Sequence, residues 1–461
     1  MNEIPKLVAK VRDTFDSGHT RPVAWRKAQL KQMRALLTEG EDELARALTA
    51  DLGKAPLEAW ATEINFVARE IDHMLGKLDS WVRPKRVHVP VVLQPAKARV
   101  IPEPLGVVLV IAPWNYPVQL LLLPMASAIA AGNAVIGKPS ELAPATSDAV
   151  AALIGKFMDP DAIATVQGAA AETQALLAER FDHIFYTGGG IVARIVMEAA
   201  AKHLTPVTLE LGGKSPAIID KTVDLEGAAR RIAYGKFLNA GQTCVAPDYI
   251  LVHESVERPF IDKLVSTVNT FYGSDPKNST DYGRIVNDRH FERLVEMVGA
   301  GGFAEKVIGG TETADAAGRY FPPTIVRGVS ADAKVMQEEI FGPILPVISV
   351  PDVNAAISFV NARPKPLSLY VFSKDRSAAN RVLHRTSSGS ACVNTCVVQL
   401  AVPELPFGGV GESGMGAYHG RRGFETFSHL KSVLEKPTKP DPPLLYPPYK
   451  KLRAKLLRRV L

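Results

Sequence analysis

The sequence of 461 residues has few cysteines, no long apolar run, and no excess of one charge over most of its length. Three cysteines are too few, and odd in number, for a disulfide framework, so we expect a reducing compartment and a cytoplasmic location. The most apolar stretch, 120–136, is broken by proline, glycine and asparagine, whereas a membrane span needs about 20 apolar residues. The first residues mix charges and lack the apolar segment of a secretory signal. We therefore expect a soluble protein, at most peripheral to a membrane.

The charge is unevenly placed along the chain. Basic residues exceed acidic ones by 6, and this whole excess lies in residues 449–461. A nucleic-acid reader needs a basic face on its folded body, so we expect no nucleic-acid partner. Leucines of the tail fall on one side of a possible helix over 452–461, with Lys and Arg on the other. Docking of this helix on a partner subunit is favoured, and peripheral membrane contact is the alternative.

What the sequence does contain is a repeated alternation of short apolar runs and helical segments, after a helical region at 3–80. Such alternation predicts α/β architecture, with ligands at the carboxyl ends of parallel strands. The expected strands are 105–112, 134–137, 162–168, 182–188, 207–210, 216–220, 249–254, 344–350 and 369–373. We predict two doubly wound parallel-sheet domains and an extended β arm. The predicted boundaries are 1–80 and 106–209 for a Rossmann-like domain, 210–396 for a catalytic domain, 81–105 and 397–430 for the arm, and 431–461 for the tail.

Cys244 is the cysteine most suited to chemistry. It lies in a segment of small residues, 239–244, between a helix and a strand, whereas Cys392 and Cys396 lie in a strand-like run typical of buried cysteine. A free thiol is mostly protonated at neutral pH, so a nucleophile needs a base or a nearby positive charge. The C-x-x-x-C spacing matches no standard zinc pair, and we predict no metal site. The ten histidines show no ligand-like or triad-like spacing, and we expect all of them to be structural or at the surface.

Glu210 and Asn115 are the next candidates, since each lies at the carboxyl end of a predicted strand. Leucines flank Glu210, and burial raises the pKa of such a carboxyl towards that of a useful base. The alternative is an exposed strand end with a glycine turn after it. Asn115 can donate its amide N–H to a developing oxyanion, whereas composition alone favours a simple turn residue.

The usual G-x-G-x-x-G dinucleotide fingerprint is missing after the first strand. Thr187, Gly188 and Gly189 end a strand and precede a helix, where backbone amides bind phosphate, although a tight turn explains the glycines equally simply. Lys138 and Glu141 follow another strand, and both a ribose-binding pair and a solvated ion pair fit their spacing.

Seven segments, taken together, resemble the aldehyde dehydrogenase superfamily, and in particular its class 3 branch. They occur in the same order over nearly the whole chain. The segments are FDSGHTRPVAWRKAQL (15–30), PWNYP (113–117), AAGNAVIGKPSE (130–141), LELGGKSP (209–216), NAGQTCVAPDY (239–249), EEIFGP (338–343) and PFGGVGESGMGAYHG (406–420).

The resemblance implies a role for each matched position. Cys244 corresponds to the nucleophile, Glu210 to the general base and Asn115 to the oxyanion donor. The implied contacts with NAD, or with NADP as a possible alternative, come from Lys138, Glu141, Thr187, Gly188, Gly189, Leu211, Glu339 and Phe341. One departure is that Gly189 and Gly190 stand where relatives usually have a polar residue, and Ala193 replaces a usual glycine. Two possible phosphate hydrogen bonds are thereby lost, although the backbone amides remain.

The implied activity is oxidation of an apolar aliphatic or aromatic aldehyde to its acid, through a cysteine thiohemiacetal and a thioester, by a homodimer. Tyr116 is a plausible wall of the aldehyde site. A coenzyme A-acylating dehydrogenase and a catalytically silent cofactor-binding relative are the alternatives. The presence of Glu210 favours hydrolysis over transfer to coenzyme A, and the three candidate catalytic residues argue against a silent protein.

Overall fold

The computed structural model describes residues 3–441, 446–448 and 458 of the chain. The predicted tail helix therefore lies outside the described residues, apart from Arg458. Within the described part, no helix combines the length and apolar character needed to cross a bilayer. No cluster of three or more histidine, cysteine and acidic side chains suited to a metal ion occurs in that part either.

Helices surround the sheets of both domains. The helices are α1 (Glu3–Asp16), α2 (Val23–Glu39), α3 (Glu41–Leu52), α4 (Pro56–Ala59), α5 (Asn65–Trp81), α6 (Gln119–Ala131), α7 (Pro144–Phe157), α8 (Ala170–Ala178), α9 (Gly190–Ala201), α10 (Leu225–Phe237), α11 (Glu257–Tyr272), α12 (Asp288–Gly299), α13 (Lys334–Gln337), α14 (Val353–Asn361), α15 (Arg376–Arg385) and α16 (Gly420–Thr426). A π-helical turn, Trp60–Ile64, joins α4 to α5.

The strands form three sheets. They are β1 (Lys85–Val87), β2 (Lys97–Pro104), β3 (Val107–Ile111), β4 (Ala134–Lys138), β5 (Ile163–Thr165), β6 (His183–Thr187), β7 (Val207–Glu210), β8 (Pro216–Ile219), β9 (Tyr249–His253), β10 (Phe303–Ile308), β11 (Thr324–Val329), β12 (Ile344–Val350), β13 (Ser368–Phe372), β14 (Ser390–Val393), β15 (Gly414–Met415) and β16 (Ser428–Glu435). The first sheet has the order β15-β7-β6-β3-β4-β5, the second β10-β11-β12-β9-β8-β13-β14, and the third β1-β2-β16.

The predicted architecture of two parallel-sheet α/β domains with a β arm is confirmed. Strand β3 is buried along its whole length, as its continuous apolar sequence predicts for a strand covered on both faces. The sequence analysis did not predict that an antiparallel edge strand, β15 or β10, completes each large sheet. Strands β10 and β11 were not predicted either, and the residues of β10 are exposed or only half-buried.

The arm extends further than predicted. Strand β16 pairs antiparallel with β2 over its whole length, from Ser428 to Glu435, beyond the predicted boundary at 430, because all eight residues of β2 offer partners. The predicted arm segment 397–430 also contributes β15 to the first sheet, where Gly414 pairs with Glu210. The other domain boundaries stay predictions.

Two kinds of chain segment meet between the large sheets. One consists of the loops at the carboxyl ends of β3, β6 and β7, and the other of the segments that lead into β9 and β12. In doubly wound folds, ligands bind beyond the carboxyl ends of the strands. The fold thus places the candidate residues around one cleft.

Candidate active site

A cleft of about 730 Å³ contains most of the residues predicted from the sequence. Its walls include the three candidate catalytic residues and most of the candidate cofactor residues. Those in the wall are Asn115, Thr187, Gly188, Gly189, Glu210, Leu211, Cys244, Glu339 and Phe341. Segments far apart in sequence therefore meet as the motifs predict.

Cys244 lies where this cleft meets a second, smaller cavity. The 3-10 turn before it contains three successive residues with positive φ, namely Asn239 and Ala240 at 51° each and Gly241 at 76°. This turn leads the chain from α10 to the partly buried Cys244. Burial, followed by the nearby Glu339 and Glu210 carboxyls, raises the pKa of Cys244 to about 12. The thiol is therefore protonated at neutral pH unless a positive charge comes close.

Glu210 is buried at the end of β7. Neither of its carboxyl oxygens has a hydrogen-bond partner among the described residues. Burial raises the pKa of Glu210 well above its ordinary value. The burial and the raised pKa match what the flanking leucines predict, and the alternative of an exposed strand end is wrong. The role of Glu210 as a base stays a prediction.

Asn115 is buried in the loop after β3. Its side-chain Nδ2 donates to the backbone oxygen of Gln242 at 3.0 Å. Because an amide nitrogen carries two hydrogens, the second N–H stays available to a ligand in the cleft. Asn115 thus faces the chain segment that carries Cys244, and the interpretation as a simple turn residue does not explain its burial.

The cleft also offers groups for a dinucleotide. Thr187 ends β6 with its hydroxyl buried and without a partner among the described residues. A Cβ added at Gly212 would come within 2.0 Å of Glu339 Oε2, so this glycine lets the carboxylate approach the backbone. Burial raises the pKa of Glu339 to about 8. An unpartnered hydroxyl and a glycine-lined wall at a strand–helix junction fit a nicotinamide dinucleotide.

Lys138 and Glu141 lie at the end of β4, and neither belongs to the cleft wall. Lys138 is buried, and its Nζ lies 2.8 Å from Glu141 Oε2. The ion pair, with hydrogen bonding from Lys138, lowers the pKa of Glu141 against the effect of desolvation. The structure thus shows them paired, and their contact with a ribose stays a prediction.

Two aromatic residues in the cleft were missed from the sequence. The rings of Trp114 and His290 have centroids 5.0 Å apart, and Phe341 meets Trp114 edge-on at 5.4 Å. His290 lines the cleft, and its packing against Trp114 is consistent with the expectation that the histidines are structural or at the surface. Nothing in its spacing signals the contact, because it depends on how α12 packs across the cleft.

The second cavity, of about 170 Å³, has a mostly apolar wall that includes Cys244. Tyr116 lines it, as predicted, together with residues that the sequence did not indicate. These are chiefly Phe66, Leu120, Phe407 and Tyr418. The wall therefore suits an apolar group attached to a carbon that reacts with the thiol.

Together, the fold and the cleft define a dehydrogenase class that uses a nicotinamide dinucleotide, with a cysteine between the dinucleotide site and an apolar pocket. The chain belongs to the aldehyde dehydrogenase family, whose sequence model matches residues 1–433. It is 48% identical over 450 residues to the dog protein named "Aldehyde dehydrogenase, dimeric NADP-preferring", covering 97% of this chain and 98% of that protein. It is 49% identical over 445 residues to mouse "Aldehyde dehydrogenase family 3 member A2", covering 96% of this chain and 91% of that protein.

A solved structure supports the same family. The structure described as "Substrate bound state of Staphylococcus Aureus AldH" superposes with a TM-score of 0.96 at 44% identity, covering 100% of this chain and 99% of that chain. Family membership makes this protein an enzyme that oxidises aldehydes to acids with NAD(P), and the resemblance inferred from the sequence is confirmed.

Proposed function

We propose that the protein oxidises apolar aldehydes, with Cys244 as nucleophile, Asn115 as oxyanion donor and Glu210 as general base. The observation that carries this assignment is that Cys244 lines both the cleft and the apolar pocket. An aldehyde whose chain or ring occupies the pocket has its carbonyl carbon beside the thiol. The same carbon then faces the cleft proposed for the dinucleotide.

In the first stage, the thiol of Cys244 releases its proton to solvent, and its sulfur forms a bond to the carbonyl carbon. The carbon–oxygen π bond breaks as this bond forms, and the carbonyl oxygen becomes an oxyanion. The free N–H of Asn115 and the backbone N–H of Cys244 donate hydrogen bonds to that oxyanion. One such preorganised donor contributes about 3–4 kcal/mol. When bound, the dinucleotide supplies the acceptor for the hydrogen and electron pair that leave the carbon. Cys244 is then held as a thioester.

In the second stage, Glu210 takes a proton from water, whose oxygen adds to the thioester carbon. The carbon–sulfur bond breaks, the thiolate of Cys244 leaves, and the carboxylic acid is released. A carboxyl with a raised pKa suits this task, because a base is most effective when its pKa is near the working pH. Transfer to coenzyme A would need no such base, and so the position of Glu210 favours hydrolysis.

A panel of aliphatic and aromatic aldehydes tests the proposal, with reduced dinucleotide followed by absorbance. Cys244→Ala should abolish turnover, while the matched variant Cys392→Ala, in strand β14, should retain it. Full activity of Cys244→Ala would refute the assignment. Turnover only with coenzyme A would establish the acylating reaction instead, and no turnover with any aldehyde would support a silent protein.

We propose NAD as the preferred dinucleotide, with NADP also accepted. The Glu141 carboxylate, paired with Lys138, suits a free ribose 2′-hydroxyl better than a 2′-phosphate. The dog relative is named as NADP-preferring, so the preference needs measurement. The ratio of kcat/KM for the two dinucleotides decides it, and a ratio in favour of NADP would contradict the proposed preference.

We also propose a homodimer in the cytoplasm, with the basic tail docked on the partner subunit. The word "dimeric" in the name of the dog relative supports the oligomeric state. Light scattering of the purified protein tests the mass, and cell fractionation tests the location. Co-sedimentation with anionic liposomes, with and without residues 444–461, tests the alternative of membrane contact through the tail.

A further inference from the structure

Lys54 and Glu63 form an ion pair with no solvent exposure next to the proposed active site. Both side chains have a relative accessibility of 0%, and Lys54 Nζ donates to Glu63 Oε1. Lys54 follows α3, and Glu63 lies in the π-helical turn Trp60–Ile64. Removing two charges from water is costly, and well-packed apolar residues are often as stabilising as a buried pair. The presence of this pair therefore calls for an explanation other than stability.

The remaining bonds of the pair all go to the loop that carries Asn115. Lys54 Nζ donates to the backbone oxygen of Asn115 at 2.9 Å and lies 3.9 Å from the centre of the Tyr116 ring. Glu63 Oε2 accepts the backbone N–H groups of Val118 at 2.9 Å and Gln119 at 3.1 Å. The pair thus forms hydrogen bonds with both ends of residues 115–119, the segment that leads into α6.

The same loop is tied to the segment that carries the cysteine. Asn239 Nδ2 donates to the Asn115 backbone oxygen at 2.9 Å and to the Gln242 oxygen at 3.1 Å. The side chain of Asn115 donates to that same Gln242 oxygen, two residues before Cys244. The carbonyl of Asn115 therefore has two donors, Lys54 and Asn239. A shift of this peptide would move the Asn115 side chain away from the segment 239–244 that carries the cysteine.

We propose that Lys54 and Glu63 are positioning residues, which hold the Asn115 peptide so that its amide faces a carbonyl bound to Cys244. This inference rests on the proposed role of Asn115 as oxyanion donor. Neither Lys54 nor Glu63 contacts the substrate, because both are enclosed by protein. Their effect on turnover passes through Asn115.

The double variant Lys54→Met with Glu63→Gln tests the inference, since it removes both charges at similar volume. A displacement of about 1 Å in a reacting group can cost a hundredfold, and so we expect kcat to fall about ten- to a hundredfold. The dissociation constant for NAD and the alkylation rate of Cys244 should stay within about twofold of the parent protein. Glu63→Gln alone serves if the double variant does not fold, because it keeps the Lys54 contact and releases the amides of Val118 and Gln119.

A double-mutant cycle separates positioning from general stability. In an Asn115→Ala background, removal of the Lys54–Glu63 ion pair should have no further effect on kcat/KM, because the side-chain amide that the ion pair positions is absent. The control is Arg12→Met with Asp182→Asn, which removes an ion pair of 2.9 Å at the amino end of β6, whereas the cleft lies at the carboxyl ends of the strands. We expect this control to leave kcat within about twofold in both backgrounds.

Two results would overturn the inference. The first is that the losses in kcat/KM caused by the Lys54–Glu63 double variant and by Asn115→Ala add when the changes are combined. The second is an unchanged kcat in the folded Lys54–Glu63 double variant. These results would leave the proposed function intact. If Asn115→Ala itself kept full activity, the proposed oxyanion role would fail instead.

Discussion

The hydroxyl of Tyr116 lies 2.7 Å from that of Thr243, the residue that precedes Cys244. The ring of Tyr116 lines the apolar pocket. Its hydroxyl forms a hydrogen bond that links residues 115–119, the loop that carries Asn115, to residues 239–244, the segment that carries Cys244. The two functions of this side chain are separable, because one depends on the ring and the other on the hydroxyl.

Tyr116→Phe should lower the free energy of unfolding by about 1–2 kcal/mol, the cost of a lost buried hydrogen bond, and should leave KM nearly unchanged. Tyr116→Ala should cost about 3–5 kcal/mol, and it should also raise KM for an aromatic aldehyde, because the pocket loses its ring. Urea unfolding and steady-state kinetics measure the two quantities. An equal rise in KM for both variants would contradict this division.

The thiol of Cys244 should be slow to react in the protein without dinucleotide. Its pKa is raised to about 12 by burial and by the Glu339 and Glu210 carboxyls, so it stays protonated across pH 6–9. The rate of alkylation by iodoacetamide should therefore rise about tenfold for each pH unit over that range, without a plateau. Oxidised dinucleotide should accelerate alkylation at pH 7, because a nearby positive charge lowers a thiol pKa.

Mass spectrometry of Cys244 measures this rate, and Cys244→Ala gives the background from the two buried cysteines. A plateau near pH 8 in the protein without dinucleotide would show that a group in the free enzyme already activates the thiol.

Local sequence was sufficient to predict the burial of a residue where a single strand determines its environment. The leucines around Glu210 and the continuous apolar run of β3 both predict the observed burial. The pairing of Lys138 with Glu141 follows from their spacing after β4, although sequence alone left its function open.

The remaining features of the site depend on contacts between distant segments. Phe66 comes from α5 and Phe407 from a loop near the end of the chain, yet both line the pocket beside Cys244. The link from Lys54 to Asn115 spans 61 positions and has no periodic signal. Such contacts are set by how the helices pack on the sheets, and so a single sequence without the fold does not reveal them.

Glu210→Gln should separate the two stages of the reaction. The first turnover should remain visible as a burst of reduced dinucleotide, while the steady rate falls about 10²- to 10⁴-fold, the usual contribution of a positioned base. Because burial raises the pKa of Glu210, the carboxyl is protonated at low pH, and the steady rate of the parent protein should rise with pH as it ionises. That rise should be absent in Glu210→Gln, which does not titrate. Stopped-flow absorbance from pH 6 to 9 measures both phases, and an unchanged steady rate would remove Glu210 from the mechanism.

The two glycines before α9 should respond differently to substitution. Gly189 is the N-cap of α9, with φ −79° and ψ 149°, and an added Cβ would meet no atom within 4 Å. Gly189→Ser should thus be tolerated, with a stability gain of a few tenths of a kcal/mol from capping. Because Gly189 lines the cleft, the new hydroxyl should also tighten dinucleotide binding by about two- to tenfold, the value of one hydrogen bond.

Gly188→Ala is the matched comparison, since its Cβ would lie 2.3 Å from the hydroxyl of Tyr186. Relief of this clash requires the ring or the backbone to shift, at a cost of about 1–3 kcal/mol, and moves the amides proposed to hold the pyrophosphate. Fluorescence titration with NAD and thermal unfolding distinguish the two variants. Weaker binding in Gly189→Ser, comparable with that of Gly188→Ala, would show that the dinucleotide does not approach the helix at this position.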